Sequence, residues 1–327
     1  MVSSKDVAKR AGVSQTTVSR VLNTPELVKK PTVEKVLQAI RELDYVPNMH
    51  ARSLVQNKTF TISLLSGPLH NPFFVDSTSH IVDYANENGY SVDVQFVNDE
   101  KIDTAYAKFL ERKVDGVILS CIFYDDPFME RLKKLDAPYI MFNRKHKDNR
   151  AFVEIDNLEA GKMAVNHLLD LGHERIVYIG GILSVSTFRN RFEGFREAYP
   201  SYTDDVVYHS NTTRQDVEKG IDRLLADYPE TTAIVAATDS IALMVMDHLI
   251  AKGLQIPEDI SLIGIDNVDL ASHLSIQLTT VGNQDGENLG LTAIRLLVEN
   301  LENKNNYCGC ITKSVKLFNR KTTRKHV

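Results

Sequence analysis

Residues 4–23 read SKDVAKRAGVSQTTVSRVLN and predict two short helices joined by a tight turn. The first helix gathers its apolar residues on one face, and Ser4 is placed to cap its first turn. Gly12 interrupts this helix, and Ser14 is placed to cap the second one. Two short helices joined in this way form a helix-turn-helix, whose second helix can enter the major groove of DNA.

The outer face of the second predicted helix carries hydrogen-bonding groups. Its residues are Gln15, Thr16, Ser19 and Arg20, and none of them is a typical salt-bridging Glu or Lys. A Gln side chain can bond adenine N6 and N7 together, and a Thr methyl can contact thymine. This face therefore favours the reading of DNA over the alternative, a three-helix cap that only buries its apolar stripes.

A third amphipathic helix is predicted near residues 32–43. Its apolar stripe consists of Val33, Val36, Leu37, Ile40 and Leu43. We therefore expect three helices in the first part of the chain.

Three motifs in the first 54 residues carry a family resemblance. They are DVAxxAGVSxxTVSRVLN at residues 6–23, YVPN at residues 45–48 and ARSL at residues 51–54. Together they resemble the LacI/GalR family of bacterial transcriptional regulators. The DNA-binding residues expected on this basis are Ser4, Ser14, Gln15, Thr16, Thr17, Ser19, Arg20, Asn23, Asn48, Arg52, Ser53 and Leu54.

The segment after the head predicts a short helix at residues 49–56, with Asn48 as its cap. A helix of this length is unstable in isolation. The family resemblance implies a hinge helix that orders on DNA and inserts Leu54 into the minor groove, where an apolar wedge kinks the duplex. The alternative is ordinary packing of Leu54 against the head.

Charge divides the chain into a basic head and an acidic body. Residues 1–60 hold ten Lys or Arg and five Asp or Glu, whereas residues 61–327 hold 28 and 38. This asymmetry is expected when only the head meets phosphates. The sequence has no apolar run that could span a membrane and no apolar signal-peptide core, so we expect a cytoplasmic protein without a membrane partner.

The three cysteines do not form a disulfide framework or a recognisable metal motif. The sequence Cys308-Gly309-Cys310 differs from C-x-x-C spacing, and no His lies close to it. We interpret it as a surface loop with two reduced thiols. The ten histidines are scattered without metal-ligand spacing, so neither a metal nor a cofactor is expected.

From residue 60 onward, short apolar runs alternate with helical stretches. This alternation predicts parallel sheets with helices on both faces, and two successive series of strands predict two lobes. The resemblance implies the fold of periplasmic sugar-binding proteins, in which the chain crosses between lobes three times. The expected fold class is an N-terminal all-α helix-turn-helix head plus an α/β two-lobed body.

The expected domain boundaries follow from this organisation. The head covers residues 1–46, the hinge helix and linker cover residues 47–59, and the body covers residues 60–327. Within the body, the N-lobe takes about 60–156 and 283–313, and the C-lobe takes about 157–281 and 314–327. The crossings between lobes are expected near Asp156, Gly282 and Lys313.

Candidate effector-binding residues follow the carboxyl ends of the predicted strands, where ligands bind in open α/β sheets. They are Phe73, Asn143, Arg144, Arg191, Thr238, Asp239 and Asp266. The family motifs assign the effector contacts of R-x-R-x-x-G, G-x-D-N and N-P-F-F to Arg191, Asp266 and Phe73. For Asp239, capping of the following helix and ligand contact are equally weighted.

Two cleft segments depart from the family pattern. Asn143-Arg144 stands where the family often has Asp-Arg, and residues 209–212 lack the Phe or Trp often found there. Both departures weaken the case for an ordinary hexose as the ligand.

The sequence lacks the motifs of the common enzyme classes, including G-x-G-x-x-G, the P-loop, G-x-S-x-G and H-E-x-x-H, so we expect no enzyme activity. The expected function is repression of a metabolic, carbohydrate operon, controlled by a small polar effector such as a sugar or sugar derivative. The alternatives are a protein or purine-type corepressor and, more distantly, a solute-binding protein. We expect a homodimer on a near-palindromic operator.

Overall fold

The computed structural model describes residues 2–45, 58–97, 102–111, 113–135, 138–199, 201–303 and 309–326. The chain forms two compact units, Met1–Thr59 and Phe60–Val327. The predicted hinge helix, with Asn48, Arg52, Ser53 and Leu54, lies outside the described residues, as does Cys308. Among the described residues, no helix combines the length and apolar character needed to cross a membrane.

The described part of the head contains three α-helices around a small core. They are α1 (Ser4–Ala11), α2 (Gln15–Asn23) and α3 (Lys30–Glu42). Val7, Val18, Val21, Val36 and Ala39 are buried between them. The helix-turn-helix prediction is confirmed, because Gly12 adopts the left-handed conformation that ends α1 and allows the chain to turn into α2.

The caps of the head correct one prediction and confirm another. Ser3, not Ser4, precedes α1, and the Asp6 carboxylate accepts hydrogen bonds from the Ser3 backbone N–H at 2.9 Å and from its hydroxyl at 2.7 Å. Ser4 is instead the first helical residue. Ser14 caps α2 as predicted, since its Oγ accepts from the Thr17 backbone N–H at 3.1 Å.

The third helix differs from the prediction at both its start and its buried face. It begins at Lys30, with Pro31 in the first turn, where the missing N–H of Pro costs no helical hydrogen bond. Leu37, predicted to belong to the apolar stripe, is 40% exposed, whereas Ala39 is buried. The smaller side chain therefore belongs to the core of the head, while the larger one partly faces solvent.

The first lobe of the body begins with five strands. They are β1 (Thr61–Ser66), β2 (Ser91–Phe96), β3 (Gly116–Leu119), β4 (Tyr139–Phe142) and β5 (Phe152–Ile155). The helices between them are α4 (Pro72–Glu87), α5 (Ile102–Leu110) and α6 (Phe128–Leu132). β1, β3 and β4 are almost entirely buried, as expected for strands covered by helices on both faces.

The second lobe repeats this construction. Its strands are β6 (Ile176–Gly180), β7 (Val207–His209), β8 (Ala233–Ala236), β9 (Ser261–Asp266) and β10 (Thr279–Asn283). Its helices are α7 (Asn157–Asp170), α8 (Ser186–Ala198), α9 (Arg214–Asp227) and α10 (Asp239–Ala251). The chain ends with α11 (Leu289–Asn303), β11 (Cys310–Lys313) and β12 (Val315–Phe318).

Two six-stranded sheets form the body, in the orders β11-β5-β4-β3-β1-β2 and β12-β10-β9-β8-β6-β7. The chain passes between them after β5, after β10 and between β11 and β12. Among the described strands, every pair is parallel, as predicted, except that β12 is antiparallel to β10. Cys310 begins β11, opposite Phe152, so the prediction of a surface loop is wrong for this residue.

Helices α7 and α8 cross at two glycines. A Cβ atom on Gly161 would lie 2.1 Å from the carbonyl oxygen of Arg191, and one on Gly194 would lie 2.1 Å from that of Leu158. Any larger side chain would force the two backbones apart. This close contact fixes the position of Arg191 on α8.

Candidate functional site

The residues predicted to read DNA lie on the exposed side of α2. Gln15, Thr16, Ser19 and Arg20 are all exposed there. Exposed amide, hydroxyl and guanidinium groups at the start of a second helix can reach base edges in the major groove.

The remaining predicted residues of the head support this face. Gln15 Nε2 donates a hydrogen bond to Ser4 Oγ at 2.9 Å, and the hydroxyls of Ser14 and Thr17 lie 2.9 Å apart. Asn23 ends α2. The start of α2 is therefore held by contacts among four predicted DNA-binding residues.

The body contains a cavity of about 220 Å³ between its two lobes. Five predicted effector residues line it: Phe73, Asn143, Arg144, Thr238 and Asp266. They follow the carboxyl ends of β1, β4, β8 and β9, so that four strands of two sheets contribute to one cavity.

Apolar side chains form much of the cavity wall. Phe123, Ile182, Val185, Phe188 and Ile241 line it in addition to the predicted residues. Sequence reasoning missed them because apolar side chains after a strand resemble ordinary core. The signal was present, since Phe123 follows β3 and Ile182 follows β6 at the same edges as the polar candidates.

Arg191 is fully buried and bonded on all sides of its guanidinium group. Its Nη2 donates to Asp266 Oδ1 at 2.7 Å, its Nη1 to the Ala237 carbonyl at 2.6 Å, and its Nε to Asn157 Oδ1 at 2.9 Å. It does not line the 220 Å³ cavity, but borders a neighbouring one of about 230 Å³ that shares Phe73 and Asp266. The structure thus makes Arg191 the support of Asp266.

Asp266 sits in an unusual backbone conformation at the end of β9. Its φ is 136°, in a region that side-chain-bearing residues rarely adopt and that occurs at ligand clamps. Burial raises the pKa of its carboxyl group, whereas the Arg191 guanidinium lowers it. The carboxylate is therefore held at the cavity wall by its bond to Arg191.

Asp239 lies behind the cavity wall and lines neither of these two cavities. Its carboxylate accepts from the Val268 backbone N–H at 3.0 Å and from Thr280 Oγ1 at 2.5 Å. Burial, and then the nearby Asp266 carboxylate, raise the pKa of Asp239 to about 7. This placement contradicts a direct effector contact, because the fully buried carboxylate is used to hold the loop after β9.

Thr238 caps α10, so the capping alternative for Asp239 is wrong. Thr238 Oγ1 accepts from the Ile241 backbone N–H at 3.1 Å, while Asp239 is the first helical residue. Since Thr238 also lines the cavity, the cap fixes one wall of the site.

Four interactions between described residues join the two lobes beside the cavity, and we name them the rim contacts. They are Tyr124 N–H to the Ser184 carbonyl at 2.7 Å, Lys145 N–H to Ser186 Oγ at 2.9 Å, Thr187 Oγ1 to the Asn143 carbonyl at 2.5 Å, and the Arg189 guanidinium over the Tyr124 ring at 4.2 Å. Because they join strand ends of one sheet to the start of α8, the rim contacts hold the lobes together around the cavity.

Comparison with known proteins identifies the family. Residues 4–48 match the family "Bacterial regulatory proteins, lacI family", and residues 165–323 match a periplasmic binding protein-like domain. The HTH-type transcriptional repressor PurR of Pasteurella multocida (strain Pm70) is 32% identical, with 100% of each chain covered. The chain belongs to the LacI family.

Solved structures of the LacI family have the same fold. The Lac repressor dimer bound to operator and the anti-inducer ONPF is 27% identical, with a TM-score of 0.84 and 99% of each chain covered. The transcriptional regulator CelR in its cellobiose complex is also 27% identical, with a TM-score of 0.72, covering 98% of this chain and 100% of that one. This LacI-family chain is a DNA-binding transcriptional repressor, and the expectation that it is not an enzyme is confirmed by its relatives.

Proposed function

We propose that this LacI-family repressor changes its operator affinity when a small, uncharged, flat ligand enters the cavity between its lobes. The observation that carries the proposal is the cavity wall, in which Phe73, Phe123 and Ile241 face the same space as Asn143 and Asp266. A ring compound buries its faces against the apolar groups and bonds the polar groups with its edge.

The charge of the cavity favours an uncharged ligand. Among the described residues that line it, His70, Arg144 and Asp266 are the titratable ones. Asp266 is already bonded to Arg191, and Arg144 is only 5% exposed. A phosphate group would need several accessible cationic donors, so sugar phosphates fit this wall poorly.

A purine-type ring is the favoured ligand class. Its N–H and carbonyl groups match an amide and a carboxylate, and its faces match Phe and Ile side chains. A neutral sugar is the second candidate, because Asp266, Asn143 and Phe73 also supply a carboxylate, an amide and an aromatic ring. The sugar that the sequence predicted as the effector is thus the second candidate in this proposal. A protein corepressor would bind outside the cavity, elsewhere on the body.

The coupling between ligand and DNA is a shift between two arrangements of the lobes. A ligand changes operator affinity only if it binds the two arrangements differently. Asn143 both lines the cavity and accepts a rim contact from Thr187, so a ligand at Asn143 acts on lobe closure. In a symmetric dimer, closure would change the spacing of two heads on a near-palindromic operator.

On the head, we propose that the exposed face of α2 reads base edges. Gln15 and Thr16 stand at its start, where base contacts occur in helix-turn-helix proteins. Ser19 and Arg20 extend the same face toward adjacent bases or phosphates.

The test is a ligand screen on the full-length protein. Thermal unfolding is measured with purine bases and nucleosides, neutral sugars, and sugar phosphates, and each stabilising compound is then titrated into the operator complex. We expect stabilisation by the purine-type group. Stabilisation by neutral sugars alone would select the second candidate, and stabilisation by sugar phosphates alone would contradict an uncharged ligand.

A matched pair of variants locates the ligand. Asn143 and Asn149 both have left-handed φ values, 65° and 53°, which Gly adopts without strain. Asn143→Gly removes the cavity amide and keeps the carbonyl of the rim contact, so ligand affinity should fall by roughly tenfold. Asn149→Gly, an exposed site outside the cavity, should bind normally. Equal affinities would remove Asn143 from the site.

A further inference from the structure

We propose that Ser4 positions the Gln15 amide so that Gln15 selects adenine at one base pair of the operator. The juxtaposition is the hydrogen bond from Gln15 Nε2 to Ser4 Oγ at 2.9 Å, which joins the first residues of α1 and α2. The inference deepens the proposal that α2 reads base edges, and rests on Gln15 contacting a base.

The Ser4 hydroxyl is available for this role because another serine caps α1. Ser3 occupies the position before the helix, and its bonds to Asp6 satisfy the capping box. Ser4, half-buried at the first helical position, therefore uses its Oγ to accept from Gln15, eleven residues away.

The direction of the hydrogen bond determines what Gln15 still offers to DNA. A Gln amide has two N–H hydrogens and one carbonyl oxygen. In the proposed contact, Ser4 accepts the hydrogen trans to Oε1, which leaves the cis hydrogen and Oε1 side by side on the same planar group. This remaining pair matches adenine, whose N7 accepts and whose N6 donates in the major groove.

Anchoring affects affinity and selectivity together. An exposed Gln side chain has several rotamers, and ordering it on binding costs conformational entropy. With its amide plane held by Ser4 in the free protein, part of this ordering precedes DNA binding. A Gln15 without the anchor could also rotate to meet other bases, so its preference for adenine would weaken.

The experiment uses full-length protein and DNA duplexes selected from a random pool by the wild type. Each base pair of the selected half-site is replaced in turn, and affinities are measured for wild type, Gln15→Ala, Ser4→Ala, Ser4→Val, Ser4→Thr and the double variant Ser4→Ala/Gln15→Ala. Val and Thr have the same shape, but only Thr retains the hydroxyl. Unfolding of the head is followed for every variant, and Ala is a good helix former at position 4.

The expected pattern has four parts. Gln15→Ala should remove the adenine preference at one base pair, since a bidentate contact there is worth roughly tenfold or more in affinity. Ser4→Ala and Ser4→Val should weaken the preference at that same base pair by about threefold to tenfold, because Gln15 keeps its contact but loses its anchor. Ser4→Thr should behave like wild type, and Ser4→Ala should add nothing in a Gln15→Ala background.

Three outcomes would overturn the inference, and each has a different meaning. Unchanged preference in Ser4→Ala and Ser4→Val would show that Gln15 needs no anchor. An equal loss on operator and random DNA would make Ser4 a phosphate contact. If Gln15→Ala itself leaves every base preference unchanged, the proposed base reading by Gln15 fails first, and the positioning role of Ser4 fails with it.

Discussion

The head and the body hold their polar side chains in opposite ways. On the head, Gln15, Thr16 and Arg20 are exposed, although Gln15 is steadied by Ser4. In the body, Arg191 is fully buried, and its guanidinium group is bonded to Asp266 and to the protein around it. Replacing an exposed side chain removes its function and leaves the stability of the fold nearly unchanged. Replacing a member of a buried network also destabilises the fold.

Arg191→Ala should give the largest effect and separates the two regions most clearly. It leaves the Asp266 carboxylate buried without its cation, with Asp239 close by. Loss of one partner of a buried ion pair costs about 3–5 kcal/mol, so the free energy of unfolding of the body should fall by this amount. Urea denaturation of full-length protein, monitored for body and head separately, measures it.

Arg189→Ala is the control for this prediction. Arg189 is also on α8, but it is exposed and contacts the Tyr124 ring, so its removal should cost no more than about 1 kcal/mol. If both variants unfold at the same urea concentration, the buried network does not support the body as described.

Gly194→Ala tests the same network without touching a charge. The added methyl would lie 2.1 Å from the Leu158 carbonyl, so α7 and α8 must move apart and displace Arg191. Overpacking of this kind costs about 1–3 kcal/mol. Thermal unfolding should show the loss, whereas Glu197→Ala on the same helix removes only an exposed ion pair with Lys162 and should lower the melting temperature much less. A wild-type melting temperature for Gly194→Ala would disprove the tight crossing.

Gln15→Ala extends the comparison to the head. Operator affinity should fall by about 1–3 kcal/mol while affinity for random DNA stays nearly constant. The free energy of unfolding of the head should not change, because Gln15 lies outside its core. If the free energy of unfolding of the head falls as much as the free energy of operator binding, Gln15 supports the fold of the head, as Arg191 supports the fold of the body.

Acid should produce the smallest effect, at the chain crossings of the body. Glu287 accepts hydrogen bonds from Lys313, Thr292 and Arg295, and chiefly the bond from Lys313 lowers its pKa from 4.5 to about 2. A lowered pKa in the folded state stabilises the protein above pH 4.5, and this contribution is lost as the pH falls from 4.5 toward 2. Its size is about 1 kcal/mol after allowance for solvent screening.

The comparison of Glu287→Gln with Glu258→Gln isolates this contribution. Both substitutions remove a carboxylate, but Glu258 is exposed in a loop. Between pH 5 and pH 3, the unfolding free energy of Glu287→Gln should decrease less than that of wild type, whereas that of Glu258→Gln should decrease as in wild type. Urea denaturation at each pH measures both. Identical pH profiles for the two variants would show that the bonds to Glu287 do not stabilise the crossings.

The head could be predicted more closely than the body because its determinants are local. Capping and helical periodicity act over a few residues, so the error at the first cap, Ser3 for Ser4, is a single position. In the body, β11 escaped prediction because its residues alternate between exposed and half-buried at the edge of a sheet. Its position depends on pairing with Phe152, far away in sequence.

The candidate site was predicted where strand ends alone decide the position, as for Phe73, Asn143 and Asp266. It was not predicted where distant contacts decide it. Asp239 turns away from the cavity because Val268 and Thr280 hold its carboxylate, and these partners lie 29 and 41 residues further along the chain. No local pattern around Asp239 contains that information.

The rim contacts have a consequence for how such a repressor can change over generations. On the side of the first lobe, the three hydrogen bonds among the rim contacts use main-chain atoms of Tyr124, Asn143 and Lys145, and only the contact with Arg189 uses a side chain, the Tyr124 ring. Most substitutions at Tyr124 and Lys145 leave those atoms in place, since every residue except proline has an N–H. At Asn143, whose φ is 65°, glycine keeps the carbonyl in place without strain. Mutation can therefore alter the chemistry that the cavity accepts while lobe closure persists. Because ligand contact and lobe closure depend on different atoms, a repressor lineage can acquire a response to a new compound in small steps. Lobe closure is kept throughout.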